Sequence, residues 1–179
     1  MSLIILDRDG VINQDSDDFI KSPAEWIPID GSLEAIARLN YAGYRVIVIS
    51  NQSGIARGLF DVETLNHIHN KMRRMLAQVG GKIEAIFFCP HGPEDQCTCR
   101  KPQDGLFSEL AQRLRITLTG VPAVGDSLRD LQAAQSVGAT PILVRTGKGE
   151  KMLGKDIPEG VAIYNDLAAV VDALLDPTV

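Results

Sequence analysis

Leu3-Ile4-Ile5-Leu6-Asp7-Arg8-Asp9-Gly10 sets four apolar residues before two carboxylates and a glycine. A strand buried on both faces reads as an unbroken apolar run, and open parallel sheets bind ligands beyond the carboxyl ends of their strands. Asp7 and Asp9 leave such a strand where a ligand would bind, on one side of it by alternation unless the turn at Gly10 re-aims the second. Taken alone, the pair describes an acidic surface turn equally well. Similar apolar runs recur at 46–49, 85–88, 121–124 and 141–144, with a shorter one at 162–164. Helical spacing fills the gaps at 31–42, 62–79, 106–114, 128–137 and 166–175, the last with Asp166 as its N-cap. Strands alternating with helices pair in parallel through right-handed crossovers. The fold class is therefore α/β, a three-layer Rossmann-like sandwich around a central parallel sheet. Segments 12–30 and 89–105 escape the pattern and follow strand ends, where functional loops belong.

With 179 residues, 1–179 reads as a single domain with its own core, and no length is left for a large cap domain. A hydrophobic content of 45% and a charged content of 23% are ordinary for a soluble protein, and the net charge of -5 argues against a nucleic-acid partner. The first apolar run stops at Asp7, too short for a secretory core or a membrane span, so a cytoplasmic protein without a membrane partner is expected. A monomer is the expected state. The three cysteines all lie between Cys89 and Cys99, an odd count that makes a poor disulfide framework and a good metal cluster in a reducing compartment.

Three more strand ends carry polar groups. The run at 46–49 enters Ser50-Asn51-Gln52-Ser53-Gly54, a hydroxyl followed by a turn whose amides can cradle an anion. The cysteine segment enters Arg100-Lys101-Pro102, and the run at 121–124 enters Gly125-Asp126-Ser127-Leu128-Arg129-Asp130 at a helix start. Singly, Ser50 reads as a turn residue, Lys101 as a solvated charge and Asp126 as a helix cap. In order at successive strand ends, they read as one site.

Asp7-x-Asp9-Gly10, Ser50, Lys101 and Gly125-Asp126-x-x-x-Asp130 together resemble the four-motif signature of the haloacid dehalogenase-like phosphohydrolases. Residues 51–58, Cys89-Pro90-His91, Cys97-x-Cys99-Arg100-Lys101-Pro102 and Val144-Arg145-Thr146-Gly147-Lys148 are similar to the heptose bisphosphate phosphatase family, with the histidinol-phosphate phosphatases as near relatives. The resemblance implies a Mg²⁺-dependent phosphatase acting on a small sugar phosphate in activated-heptose synthesis, for lipopolysaccharide core or S-layer precursors. Asp7 is then the nucleophile, Asp9 the general acid and base, and Ser50 and Lys101 the groups on the phosphoryl oxygens. Asp7, Asp126 and the main-chain carbonyl of Asp9 are the implied Mg²⁺ ligands. Substrate contacts carry over to Asp15, Ser16, Asp17, Asp18, Asn51, Gln52, Ser53, Arg100 and Ser127, although in the heptose family a lysine often stands where this chain has Ser127. Arg57 is a weaker candidate.

Cys89, His91, Cys97 and Cys99 form a Cys₃His set whose thiolate and imidazole ligands suit tetrahedral Zn²⁺ and leave no open position. The reading is a structural, zinc-bound loop that positions Arg100 and Lys101. His67 and His69, on the helix at 62–79, read as solvated face residues rather than ligands. Histidinol-phosphate hydrolysis, a nucleic-acid 3′-phosphatase and a zinc-stabilised binding module without turnover stand as alternatives.

Overall fold

The computed structural model describes residues 2–155 and 157–176. Its strands are β1 (Leu3–Leu6), β2 (Arg45–Asn51), β3 (Ala85–Cys89), β4 (Pro122–Gly125), β5 (Thr140–Val144) and β6 (Ala162–Tyr164). Its α-helices are α1 (Ser32–Tyr41), α2 (Val62–Gln78), α3 (Gly105–Leu114), α4 (Leu128–Ser136) and α5 (Leu167–Leu175). Every strand expected from the apolar runs is present, and the run at 121–124 begins pairing one residue later. The sheet runs β3-β2-β1-β4-β5-β6 with every pairing parallel. Its order reverses between β1 and β4, which are hydrogen-bonded neighbours although most of the chain's first two thirds separates them. In a doubly wound sheet the crevice for ligands opens at that point.

Alternation along the central strands feeds two cores. Ile4, Leu6, Val46 and Val48 face α1, α2 and α5, and Leu3, Ile5, Ile47 and Ile49 face α3 and α4. The three-layer arrangement follows, since each face of the sheet must be covered. The helix starts are built locally. Asp61 accepts from Thr64 N at 2.8 Å at the head of α2, and Asp166 accepts from Ala169 N at 2.8 Å at the head of α5, where the sequence places a cap.

Segment 12–30 is pinned down by its own anchor. Trp26 is fully buried, and Lys71 of α2 donates to Pro23 O and Trp26 O, both at 2.7 Å. This anchoring leaves residues 15–20 at the carboxyl edge of the sheet. Among the described residues no helix is long and apolar enough to cross a membrane.

His69 departs from the sequence reading: it is buried, 3% exposed, whereas the side chain of His67 is exposed. The reason is helical phase. Leu65, Ile68, His69, Met72 and Leu76 form the buried stripe of α2, and His69 falls one turn after Leu65.

Candidate active site

Asp7 continues β1, and its N–H donates to Val124 O at 2.9 Å, closing the seam between β1 and β4. Lys101 enters from the loop after β3 and is 3% exposed. Its ammonium lies 3.1 Å from Asp7 Oδ1 and 2.7 Å from Asp130 Oδ1, and donates to Ile49 O at 2.8 Å. The Asn51 side chain holds the Lys101 peptide from both sides, accepting from its N–H at 3.0 Å and donating to its carbonyl at 3.1 Å. Asp130 accepts at Oδ2 from Ser127 Oγ at 2.7 Å, Ser127 N at 3.0 Å and Asp126 N at 3.2 Å, which fixes the start of α4.

Asp126 is seated in a slot without side chains. A Cβ on Gly10 would fall 2.1 Å from its Oδ2, and one on Gly147 2.2 Å from the same atom. Gly10 and Gly147 have φ of 82° and 60°, so glycine is required there for conformation as well as space. Lys148 N donates to Asp126 Oδ2 at 2.8 Å.

Carboxylate oxygens of Asp7, Asp126 and Asp130 lie within 4.8 Å of one another, a spacing one cation can bridge. Burial pushes the Asp7 carboxyl up to about 7 against the pull of Lys101, and pushes Asp126 up to about 8, with Asp130 and Asp7 adding repulsion. Burial alone would raise Asp130, but Lys101, the Ser127 hydroxyl and Arg129 together hold it below the usual carboxylate range. Its oxygens are already committed to the ammonium, two amides and a hydroxyl. Asp7 and Asp126 each have one oxygen engaged, by Lys101 and the Arg8 N–H at Asp7 Oδ1 and by the Lys148 N–H at Asp126 Oδ2, which leaves Asp7 Oδ2 and Asp126 Oδ1 to face a metal.

The Asp9 carboxylate belongs to a different set. Arg8 donates to it from Nε at 3.0 Å and from Nη2 at 2.8 Å, Asn13 Nδ2 at 2.9 Å and Gln52 Nε2 at 2.9 Å. Burial alone would raise the Asp9 carboxyl, but Arg8, Asn13 and Gln52 outweigh it and hold it below its usual range. Ser50 is fully buried and accepts from Gln52 Nε2 at 2.8 Å, so its own hydrogen remains for another acceptor beyond a long 3.5 Å contact to Asn51 O.

One cavity unites most of the residues the sequence singles out. Asp7, Asp9, Asp126 and Lys101 line it, with Asp15, Ser16, Asp17, Asn51, Gln52, Ser53, Arg100 and Ser127 around them. Ser50 and Asp18 do not line it: Ser50 is enclosed, and Asp18 is exposed beside Ser16, whose Oγ accepts from its N–H at 3.1 Å. Phe19, Ile20, Arg129, Asp130 and Lys148 join the lining without having been singled out as site residues. Asp130 had a signal, its place four residues after Asp126. Phe19 had none, and its φ of 64° is a tertiary effect. Arg57 stands over the Phe19 ring at 5.4 Å. Lys148 reaches Asp15 at 3.3 Å across the mouth. Partial burial and the nearby Arg129 and Arg57 press the Arg100 guanidinium's pKa down, so this rim favours an incoming anion.

The end of β3, at Cys89, and the loop that follows it gather four ligand atoms. Cys89 and Cys99 sulfurs are 3.0 Å apart, Cys89 and Cys97 sulfurs 3.7 Å, and His91 Nδ1 is 3.2 Å from Cys99 Sγ. Tetrahedral Zn–S bonds of about 2.3 Å put sulfurs roughly 3.8 Å apart, so the cluster fits Zn²⁺ after a small expansion. Cys97 titrates near about 7 despite its burial, because the Arg100 N–H and neighbouring thiols favour its thiolate.

Comparison with known proteins supplies first the class. Residues 98–170 match the HAD-hydrolase-like family, and residues 2–128 match the polynucleotide kinase 3 phosphatase family. Fold and site together define a haloacid dehalogenase-like hydrolase. The chain is 61% identical over 176 residues to D-glycero-beta-D-manno-heptose-1,7-bisphosphate 7-phosphatase of Bordetella bronchiseptica, covering 98% of both chains. It is 54% identical over 174 residues to the enzyme of that name from Pseudomonas aeruginosa, covering 97% of this chain and 98% of the relative. A crystal structure of D,D-heptose 1,7-bisphosphate phosphatase from B. bronchiseptica, complexed with magnesium and phosphate, superposes with a TM-score of 0.96 at 61% identity, covering 98% of each chain. The corresponding Burkholderia thailandensis structure gives a TM-score of 0.78 at 48% identity, covering 98% of this chain and 99% of that one. The chain belongs to the D-glycero-beta-D-manno-heptose-1,7-bisphosphate 7-phosphatase family.

A divalent cation bound at Asp7 and Asp126 would have to displace the protons that burial keeps on them near neutrality. Calorimetric titration with Mg²⁺ in buffers of different ionisation enthalpy is expected to show proton release near pH 7, and affinity rising with pH until it levels off beyond about 8. Both carboxyls bind protons more tightly folded than unfolded. Metal-free protein should therefore lose stability progressively as pH rises from about 4, the loss levelling off beyond about 8, and Mg²⁺ should restore more stability at the upper end.

Replacing one zinc ligand should act on the site from a distance. Cys97→Ser is expected to lower thermal stability and loosen the Arg100-Lys101 segment, with activity falling in consequence, and elemental analysis of the unaltered chain should find about one Zn²⁺. Normal kinetics and stability in a zinc-free mutant would contradict this structural role.

Proposed function

We propose that this chain removes the 7-phosphate of D-glycero-β-D-manno-heptose 1,7-bisphosphate through a phosphoaspartyl intermediate, in the synthesis of activated heptose. The observation that carries the reading is the Asp7 carboxylate beside the buried Lys101 ammonium, in a cavity rimmed by Arg100 and Arg129. The identity to enzymes of that name supports the substrate and its anomer. Asp7, Asp126 and the Asp9 main-chain carbonyl would hold Mg²⁺, which supplies positive charge to the phosphoryl oxygens.

Lys101 stabilises those oxygens and the Asn51-Gln52-Ser53 turn adds donors around them, while the enclosed Ser50 hydroxyl steadies that turn by accepting from Gln52 Nε2 at 2.8 Å. An Asp7 oxygen bonds to phosphorus as the bond from phosphorus to the sugar oxygen breaks, and Asp9 gives that oxygen a proton. Resting Asp9 is held ionised by Arg8. The entering phosphate dianion raises its affinity for the proton it delivers. Ionised again, Asp9 takes a proton from the water that cleaves the acyl phosphate, so one carboxyl serves both half-reactions. Arg100 and Arg129 are placed for the second phosphate, a role suited to forked guanidinium donors. The cavity is complete within one chain, which supports action as a monomer, and the thiolate loop fits a reducing cytoplasm.

Kinetics with both anomers of the heptose bisphosphate and with histidinol phosphate test the substrate. The β anomer should have the highest kcat/KM, and Asp7→Asn should remove turnover of all three. Preference for histidinol phosphate would overturn the assignment.

Asp9→Asn should depend on the leaving group. A sugar alkoxide needs a proton, so phosphorylation of Asp7 collapses, whereas p-nitrophenolate leaves unaided. With p-nitrophenyl phosphate the mutant should show a burst of nitrophenolate, then slow turnover with phosphate held on Asp7, read by rapid mixing and intact mass. Equal losses on both substrates without a burst would remove Asp9 from the acid and base roles.

A further inference from the structure

Arg8 and His69 are buried polar groups that the chemistry above does not use directly. Arg8 is 0% and His69 3% exposed. A guanidinium shut away from water has five N–H groups to satisfy. Nε and Nη2 serve Asp9, and Nη2 also approaches Gln52 Oε1 at 3.3 Å. Nη1 faces His69 Nε2 at 3.2 Å. A guanidinium has no lone pair to offer, so this contact is a hydrogen bond only if Nε2 is the acceptor and the imidazole proton sits on Nδ1. Burial, with Arg8 next, lowers the imidazole pKa to about 3, consistent with a neutral ring.

Packing does not require a histidine there. The other members of the α2 stripe, Leu65, Ile68, Met72 and Leu76, are apolar, and the Phe88 ring stands edge-on to His69 with centroids 6.5 Å apart. An apolar side chain of similar volume would fill the position without desolvating a polar ring. What histidine adds is an acceptor on a rigid helix, aimed at the guanidinium whose other nitrogens grip Asp9.

We propose that His69 is a positioning residue for the acid/base step: its Nε2 fixes the Arg8 guanidinium, and Arg8 holds Asp9 at the angle from which it meets the leaving oxygen. The inference rests on the reading of Asp9 given above. It ties an α2 residue, 61 positions from Arg8, to proton transfer it never touches.

His69→Leu keeps the volume and deletes the acceptor, and His69→Gln returns a carbonyl oxygen. With heptose bisphosphate, His69→Leu should lower kcat by about 10- to 100-fold, the scale of misplacing a reacting group, with KM little changed. Formation of the phosphoenzyme from p-nitrophenyl phosphate should be nearly unaffected, and His69→Gln should recover most of the lost kcat. In an Asp9→Asn background, His69→Leu should cost nothing further, because the group it positions no longer transfers protons. Equal slowing with both leaving groups, equal loss in the Leu and Gln variants, or a full extra cost on Asp9→Asn would each overturn the proposal. Nitrogen-15 NMR of the unaltered protein decides independently of whether the variants fold: a proton on Nδ1 alone supports it, and a proton on Nε2 overturns it. If Asp9→Asn itself shows no leaving-group dependence, the reading of Asp9 falls first, a result separate from every His69 outcome.

Discussion

Three carboxylates, Asp7, Asp126 and Asp130, crowd together, and one ammonium, that of Lys101, pairs with the first and last of them. Ionised, they leave two negative charges uncompensated in a site largely closed to water, a condition proteins relieve by protonation or by a cation. The rest of the structure serves that imbalance. β1 and β4 lie side by side so that Asp7 and Asp126 meet. Asp130 is tied by Ser127 so that it turns to the lysine, and Asn51 grips the lysine's peptide so that the lysine cannot leave. A divalent cation completes the charge balance and creates a place where a phosphate dianion is welcome.

Asp9 shows the opposite solution to the same problem. It has a private counter-ion in Arg8 and is neutralised without a metal. Two carboxylates separated by one residue are thereby placed in unlike electrostatic environments, and different environments let similar groups take different parts in a reaction.

The alternation of apolar runs with helical spacing was enough to read the parallel sheet and its helices, since each is a local pattern. Asp7, Asp9, Lys101 and Asp126 were legible because each follows a strand or a distinctive loop. Arg8 was not. Nothing next to it indicates burial, because the partners that permit it, Gln52 and His69, come from positions 44 and 61 residues away. His69 was misread for a related reason: a histidine on an amphipathic helix is assigned to water unless its phase against Leu65 and Met72 is weighed above its polarity. Phe19 reaches the cavity only through the packing of its loop, and Arg129 through the direction in which the first turn of α4 points. The cysteine loop and the lysine that follows it are legible together, but the clasp of the Asn51 side chain on the Lys101 peptide is not, because it comes from the end of β2, 50 residues away.

The slot that receives Asp126 has a consequence for how this chain can vary. Its walls are the bare α-carbons of Gly10 and Gly147, and no other amino acid lacks the atom that would collide there. Every codon change producing a different residue at either position places matter against the carboxylate proposed to hold the metal. A saturation survey scored by turnover would therefore rank these two positions among the least permissive in the protein, beside residues that donate protons or bind phosphate. Intolerance of that kind marks where empty space is itself the working part.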